Sequence, residues 1–180
     1  MNTNQMNTYA DLWQRVRAFV LDYVIILIYL AAITTLMWLL NSLFSINDWF
    51  FPDRVRAQFV AVLIVTLPVT LYFAINESSN QQATWGKQRM RLKVTDYNGE
   101  RIGFGRAFSR TLLKFIPWEL SHTFIWELSF SLQKDSVMIS YGFGLVYLLV
   151  GLNIASLIMT KKHQTIYDLL AKTYVVKQAL

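Results

Sequence analysis

Three long apolar runs constrain this chain more than any other feature of its sequence. Residues 23–40, 57–75 and 136–160 contain no Asp, Glu, Lys or Arg, and each run has at least 18 residues. About 20 apolar residues are needed for a helix to cross the hydrocarbon core of a bilayer. Hydrophobic residues make up 54% of the chain and the mean hydropathy is +0.34. The sequence therefore predicts an integral membrane protein, folded as a single domain over residues 1–180.

Composition excludes several classes of function. The chain has no cysteine, which excludes disulfides, thiol catalysis and cysteine metal sites. The net charge of +6 is typical of a membrane protein whose basic residues collect on the cytoplasmic side, beside anionic lipid, so no nucleic-acid partner is expected. The first apolar region is too long for the core of a cleaved signal peptide, and we expect it to stay as a helix.

A fourth segment, residues 115–133, is ambiguous. It holds Glu119, His122 and Glu127 among apolar residues, and the cost of two carboxylates nearly cancels the gain from the rest. Hydropathy alone leaves open whether it spans the bilayer or lies flat at the interface. If it spans, all but three of the 17 Lys and Arg residues lie on one side, the exceptions being Arg54, Arg56 and Lys134; a flat segment gives a more even division.

The positive-inside rule therefore favours four crossings. The fold class predicted is an all-α membrane protein, a four-helix transmembrane bundle with both termini cytoplasmic. Its helices are predicted at about 16–40, 57–75, 113–133 and 137–160.

The connection between the second and third helices is predicted to carry a small cytoplasmic β-hairpin, at about residues 88–104. "QRMRLKV" alternates apolar and basic residues with the period of a strand, and Asn98-Gly99 is a strong hairpin signal. "TYVVK", residues 173–177, is a further β-like run that we predict to pair with Leu92–Val94. The helix that follows the hairpin places Arg106, Arg110 and Lys114 on one stripe, where we expect contact with anionic headgroups.

Asp22 is an acidic residue inside the first apolar segment. Arg15, Ala18 and Asp22 share one helical face, and the small Ala18 leaves room for a neighbouring helix. Asp22 either accepts hydrogen bonds from another helix or serves as an ion or proton site, since intramembrane carboxylates are functional candidates. The residues alone do not decide between these.

Glu119, His122 and Glu127 are the other candidate polar residues within the membrane. Glu119 and His122 are three residues apart and can touch, but one His and one Glu are too few to predict a metal site. Motifs for a nucleophile with its base, for a phosphate loop or for a metal are not recognisable in the sequence. We therefore expect no catalytic residues, no cofactor, no metal and no enzyme activity.

Three blocks of the sequence resemble the RDD family of small bacterial membrane proteins, named for one arginine and two aspartates. "RVRAFVLD" matches its opening pattern with Arg15 and Asp22, "ATWGKQRMRLKV" is similar to its central loop and basic strand, and "TIYDLLAKTYVV" resembles its last block, which puts the second aspartate at Asp168. The chain departs from the family pattern at three positions. Trp85 replaces a proline, which predicts a changed turn before Gly86, Tyr167 replaces a histidine and Lys172 replaces a glycine.

The resemblance implies a multi-pass protein of the bacterial inner membrane. Transport is often proposed for that family, so we expect a small transporter or transporter subunit for a cation or small solute, working as a homo-oligomer or with a membrane-protein partner. The alternative is a non-transporting scaffold or accessory protein that binds another membrane protein or lipid. The resemblance also predicts that Asp168 pairs with Arg15 or with one of Arg17, Arg106 and Arg110.

Overall fold

The computed structural model describes residues 9–130 and 137–178, which are mostly helical. The elements follow in the order α1 (Leu12–Phe44), α2 (Asn47–Phe50), α3 (Arg54–Ala61), a π-helical segment (Val62–Thr66), α4 (Leu67–Ser78), α5 (Trp85–Arg89), β1 (Leu92–Asp96), α6 (Phe104–Phe130), α7 (Val137–Met159), α8 (Ile166–Leu170) and β2 (Thr173–Lys177).

Three helical units are long and apolar enough to cross a membrane: Leu12–Phe44, Arg54–Ser78 and Val137–Met159. The first, second and last apolar segments of the sequence are thereby confirmed as long helices. The ambiguous segment forms the second half of α6, except for residues 131–133, which lie outside the described residues. Helix α6 is unbroken over 27 residues although Pro117 lies within it.

Helix α6 packs antiparallel along the whole unit from Arg54 to Ser78. Three pairs of side chains mark this run, namely Arg110 with Glu77, Glu119 with Thr66, and Glu127 with Arg54. These contacts lie at one end, in the middle and at the other end of the two helices. Arg110, Glu119 and Glu127 of α6 therefore face the unit Arg54–Ser78.

The unit from Arg54 to Ser78 contains a local irregularity just before Pro68. Proline has no N–H, so the carbonyl four residues earlier, that of Ile64, loses its usual helical donor. The Tyr29 hydroxyl of α1 donates to this carbonyl, and the π-helical segment spans the same positions. A side chain of a neighbouring helix thus satisfies the backbone group that proline frees, as lipid surroundings require.

A two-stranded antiparallel sheet joins the middle and the end of the chain. Strand β1 pairs with β2, in a register that runs from Leu92 opposite Lys177 to Asp96 opposite Thr173. The predicted pairing of "TYVVK" with Leu92–Val94 is confirmed. Leu92 and Val94 are fully buried, as their alternation with basic residues predicted.

The predicted hairpin over residues 88–104 is not confirmed as a pair of strands. Gln88 and Arg89 belong to helix α5, so β1 begins only at Leu92. Asn98-Gly99 does form a turn, in which the Asp96 side chain accepts from the amides of Asn98 and Glu100. The return segment makes a single bridge, Thr95 to Arg101, on the edge of β1 opposite β2. Further along that edge the Val94 N–H donates to the Gln82 carbonyl at 2.8 Å.

The start of the described chain and its end lie together. The Ala10 N–H donates to the Val175 carbonyl at 2.9 Å, and Tyr9 forms a bridge with Val176. Ala10, Leu92 and Val175 are buried in one apolar cluster beneath the sheet. The entry to α1, the sheet and the first turns of α6 therefore form one packed end of the molecule.

Candidate functional site

A buried chain of ion pairs lies at this packed end. The Arg15 guanidinium donates to Asp168 Oδ2 at 2.5 Å, and Arg110 donates to Asp168 Oδ1 at 2.7 Å and to Glu77 Oε2 at 2.6 Å. Lys87 Nζ donates to the other oxygen of Glu77 at 2.6 Å. These five residues are called the ion-pair cluster below. They link α1, α4, α5, α6 and α8, five elements that are distant in sequence.

Local capping places the Arg15–Asp168 pair. Asp11 caps α1 by accepting from the Gln14 amide, which starts the helix one turn before Arg15. Thr165 and Asp168 form a capping box at the start of α8, so Asp168 is held by backbone as well as by guanidinium groups. Arg15 Nη2 also donates to the His163 carbonyl at 2.5 Å. Backbone groups thus help to orient both partners of the ion pair.

The charges of the ion-pair cluster are shielded from solvent. The side chains of Glu77 and Asp168 are 0% exposed and that of Arg110 is 2% exposed. Burial raises the pKa of Asp168, but the guanidinium groups of Arg110 and Arg15 outweigh it and hold that pKa well below its usual range. Asp168 therefore stays ionised, and its charge is neutralised by fixed protein groups.

Asp22 has a separate set of partners. It is 1% exposed, and it accepts from the Tyr72 hydroxyl at 2.9 Å, the Thr84 hydroxyl at 2.6 Å and the Gly86 amide at 2.7 Å. All three donors are neutral. Hydrogen bonds of this kind stabilise a buried carboxylate, and they favour the interpretation that Asp22 joins α1 to α4 and α5.

Gly86 is required for this approach. A Cβ at this position would lie 2.0 Å from the Ala18 carbonyl oxygen and 2.9 Å from Asp22 Cγ. The absence of a side chain lets the backbone of α5 touch α1, and the small Ala18 forms the other side of the contact. The room that Ala18 was predicted to leave is taken by α5.

Comparison with known proteins identifies the family. A model of the RDD family matches residues 9–172, a range that holds the whole ion-pair cluster and Asp22. The chain belongs to the RDD family. No curated protein and no solved structure gives a significant match.

All three RDD signature residues, Arg15, Asp22 and Asp168, are among these buried contacts. The predicted pairing of Asp168 with Arg15 is confirmed, and Arg110, one of the stated alternatives, pairs with the same carboxylate. Arg17 is exposed. The exposed Arg106 lies 3.6 Å from Asp96, so it contacts the end of β1 instead.

The prediction that Arg106, Arg110 and Lys114 contact lipid headgroups is wrong for Arg110. Arg110 is almost fully buried between Glu77 and Asp168, because two carboxylates on other elements compete successfully with lipid phosphate. Lys114 is half-buried, and its Nζ lies 3.5 Å from the centre of the Phe73 ring. Of the three residues, Arg106 has the most exposed position.

Sequence reasoning missed Glu77 and Lys87 as members of the ion-pair cluster. Glu77 follows the second apolar run by two residues, and Lys87 follows the glycine of the family's central block. A lone acid at the end of an apolar helix was a usable signal. Its partner could not be found from local spacing, because Arg110 is 33 residues away.

A second polar group lies halfway along α6. Glu119 accepts from the Gln58 side-chain amide at 2.9 Å and from the Thr66 hydroxyl, and the His122 Nδ1 lies 3.8 Å from its Oε1. The predicted contact between Glu119 and His122 is thus present as a loose one. Glu127 is apart from them and pairs with Arg54. Within residues 9–130 and 137–178, no cluster of three or more His, Asp or Glu could hold a metal ion.

The three departures from the RDD pattern have different structural settings. Trp85 is the first residue of α5, a position that also suits proline, so the turn before Gly86 is an ordinary helix start. Lys172 has φ +54°, the left-handed conformation in which glycine is favoured. Tyr167 stacks its ring near the Arg110 guanidinium, 5.2 Å from Cζ to the ring centre.

Proposed function

We propose that this RDD protein crosses the bacterial inner membrane four times, with both termini on the cytoplasmic side. The long contact of α6 with the unit Arg54–Ser78 supports the fourth crossing. The two helices touch at both ends and in the middle, so their axes lie side by side, and α6 would cross the bilayer if the unit Arg54–Ser78 does. The 27 residues of α6 correspond to about 40 Å of helix. The proximity of Ala10 to Val175 supports a common side for the two termini, and the positive-inside rule favours the cytoplasmic side for both.

We further propose that the protein is a small transporter or transporter subunit for a cation, not an enzyme, and that its coupling group is Glu119. Glu119 is near the middle of a proposed span and is 26% exposed, whereas Asp22 is sealed at 1%. Among the described residues, no Lys or Arg nitrogen lies within 4.0 Å of the Glu119 carboxylate. By contrast, Arg110 and Glu127 on the same helix each form an ion pair with the unit Arg54–Ser78.

The chemistry of this group suits a proton or a monovalent cation. A carboxylate at membrane depth without a fixed counter-charge is costly, and binding a cation or a proton removes that cost. The Thr66 hydroxyl and the Gln58 amide supply further oxygen ligands of the kind that hard cations prefer. Gln58 Oε1 is buried without a hydrogen-bond partner among the described residues, so it is free to serve as one. Four helices seldom enclose a path alone, and the proposal includes a homo-oligomer or a membrane-protein partner.

Flux in proteoliposomes tests the proposal. Purified protein is reconstituted with an internal pH-sensitive dye, and proton movement is followed after imposed Na⁺ or K⁺ gradients. We expect Glu119→Gln to abolish flux and Glu127→Gln, which removes a carboxylate from the same helix near its end, to retain most of it. Both variants are checked for folding by size-exclusion chromatography. An absence of flux from folded wild-type protein under every gradient contradicts the proposal.

The second candidate function is a scaffold or accessory protein. It is favoured by the observation that Asp22 and Asp168 are both saturated by protein donors, as expected if the signature only joins helices. Under this proposal Asp22→Asn lowers the melting temperature, and the folded wild-type protein shows no flux. Under the transport proposal, flux per folded molecule persists in Asp22→Asn and is lost in Glu119→Gln.

A further inference from the structure

An apolar cleft lies between α1, α6 and α7, directly beside the ion-pair cluster. Its volume is about 510 Å³, within the range of cavities that bind small ligands. The walls are formed mainly by apolar side chains, among them Val16, Phe19, Phe115, Trp118, Val146 and Val150. One end is basic and includes Arg15, Lys87, Arg110 and Lys114. The cleft is therefore amphiphilic, with a long apolar body and a cationic end.

Three of these four cations are already neutralised by protein groups. Arg15, Arg110 and Lys87 pair with Asp168 and Glu77 at distances of 2.5 to 2.7 Å. Lys114 differs from them, since across residues 9–130 and 137–178 no carboxylate oxygen lies within 4.0 Å of its Nζ. Its neighbours are the ring faces of Phe73, Phe19 and Phe115, at 3.5, 5.0 and 5.3 Å.

The balance of charge at this end of the cleft is positive. Even if Asp22 is counted with Glu77 and Asp168, four cations face three carboxylates. Ring faces stabilise an ammonium group only in part. An ammonium group in apolar surroundings loses its proton unless an anionic partner offsets the loss of water, so an anion on its Nζ is what would keep Lys114 charged. Lys114 lines the cleft, so an anionic group of a bound molecule could pair with its Nζ.

We propose that this cleft binds one anionic phospholipid, with an acyl chain along the apolar walls and the phosphate on Lys114 Nζ. The occupant has to be apolar over most of its length and anionic at one end. A helix of a second protein would meet these conditions only if it carried an unpaired carboxylate at the depth of Lys114. Lys114 is one helical turn beyond Arg110, at the side where the basic residues collect. Anionic lipids are concentrated beside such residues.

The site is independent of the transport proposal. The lining residues of the cleft do not include Glu119, Gln58 or Thr66. Lipid binding can therefore be measured whether or not the protein moves ions. If the folded protein binds the lipid but shows no flux, the lipid site stands and the transport proposal fails.

Lipid binding is tested on delipidated, detergent-purified full-length protein by native mass spectrometry and by thermal shift. The probes are phosphatidylglycerol and phosphatidylcholine with identical acyl chains. We expect one tightly bound phosphatidylglycerol per chain. Lys114→Met should weaken the binding of phosphatidylglycerol about tenfold, because one charge-assisted hydrogen bond is lost. Lys114→Arg keeps the positive charge and should retain most of the wild-type affinity. The matched control is Lys161→Met, an exposed lysine at the end of α7, which should bind like the wild type.

A second variant tests the apolar part of the cleft. Val146, which is 7% exposed on α7, is replaced by Trp to fill the cavity, and we expect the bound lipid to be lost while the protein remains folded. The proposal is overturned by equal binding by Lys114→Met and Lys161→Met, by equal binding of the two lipids, or by full competition by inorganic phosphate without a chain. A change of oligomeric state in Val146→Trp without loss of lipid would assign the cleft to a second copy instead and would also overturn it.

Discussion

Arg15 and Asp168, which are 153 residues apart in sequence, form a buried ion pair with Nη1 and Oδ2 separated by 2.5 Å. The pair joins the first turn of α1 to the short helix α8 that precedes β2. Arg110 shares the same carboxylate through its Nε and Nη2 atoms. One aspartate thus receives two guanidinium groups from two helices, and the start and end of the chain are held against α6.

Loss of Arg110 should be the most damaging single change in the ion-pair cluster. Arg110→Met leaves Glu77 with one partner and Asp168 with one, and removal of one member of a buried ion pair costs about 3–5 kcal/mol. Arg106→Met removes a half-exposed cation on the same helix and should cost less than about 1 kcal/mol. Unfolding in mixed micelles by SDS titration measures both. Equal losses would show that Arg110 is not stabilised by its buried partners.

Stability at acid pH should depend on Asp168. Its pKa is lowered in the folded protein, so its contribution is present above the unfolded-state value of about 3.9 and is lost as the pH falls below it. Between pH 7 and about 5 this contribution stays constant, and it declines progressively below that. Asp168→Asn should be less stable than the wild type at pH 7 and should lose less stability on further acidification. Melting temperatures from pH 7 to pH 3 test this, with the exposed Asp48→Asn as the control. A wild-type acid slope that Asp168→Asn leaves unchanged would contradict it.

Gly86→Ala should disrupt the contact between α5 and α1. The new Cβ would meet the Ala18 carbonyl oxygen at 2.0 Å, and a backbone atom moves only with its helix, so we expect a loss of about 1–3 kcal/mol or more. Gly105→Ala is the control. It lies in α6, where an alanine Cβ would meet no atom of another element within 4 Å, and a gain of up to about 1 kcal/mol is expected from helix propensity. Denaturation curves for the two variants should shift in opposite directions.

Lys172→Gly should stabilise the protein. The left-handed φ of +54° at Lys172 costs about 1–2 kcal/mol for a residue with a Cβ, and glycine removes that strain at the expense of a more flexible unfolded chain. We expect a net gain of about 1 kcal/mol. Lys172→Ala retains the Cβ and removes the same charge, so it should show no comparable gain. If alanine and glycine stabilise equally, the charge and not the backbone conformation is responsible.

Tyr29 and Pro68 should be energetically coupled. Tyr29→Phe removes the donor to the Ile64 carbonyl, and a buried acceptor left without a partner costs about 1–3 kcal/mol. In a Pro68→Ala background the restored N–H of residue 68 can donate to this carbonyl, so Tyr29→Phe should cost less there. A double-mutant cycle on melting stability measures the coupling. Additive effects would mean that the hydroxyl and the missing amide act on different groups.

Much of the secondary structure of this RDD protein could be predicted because hydropathy and spacing are local properties. The apolar runs marked three long helices, and the alternation around Leu92 and Val94 marked a strand. The Asn98-Gly99 turn was also predictable, but the partner of β1 was not set by the turn. The β-like run 173–177 was the predicted partner of β1, and the pairing is confirmed. Ala10 buries one apolar surface together with Leu92 and Val175, a contribution that no local pattern expresses.

The sequence by itself determined that the chain has long apolar helices, that Arg15 and Asp22 share a face of α1, and that Asp168 belongs to the family signature. The family resemblance predicted that Arg15 could pair with Asp168, but only the tertiary structure decided that Arg110, Glu77 and Lys87 join them. Arg110 was expected to contact lipid headgroups, but it is buried. Its guanidinium is stabilised there by carboxylates from other elements, those of Glu77 and Asp168. Asp22 found neutral donors because the glycine at position 86 lets α5 touch α1. Hydrophobicity acts on each segment separately, whereas the pairing of buried charges depends on which segments pack together.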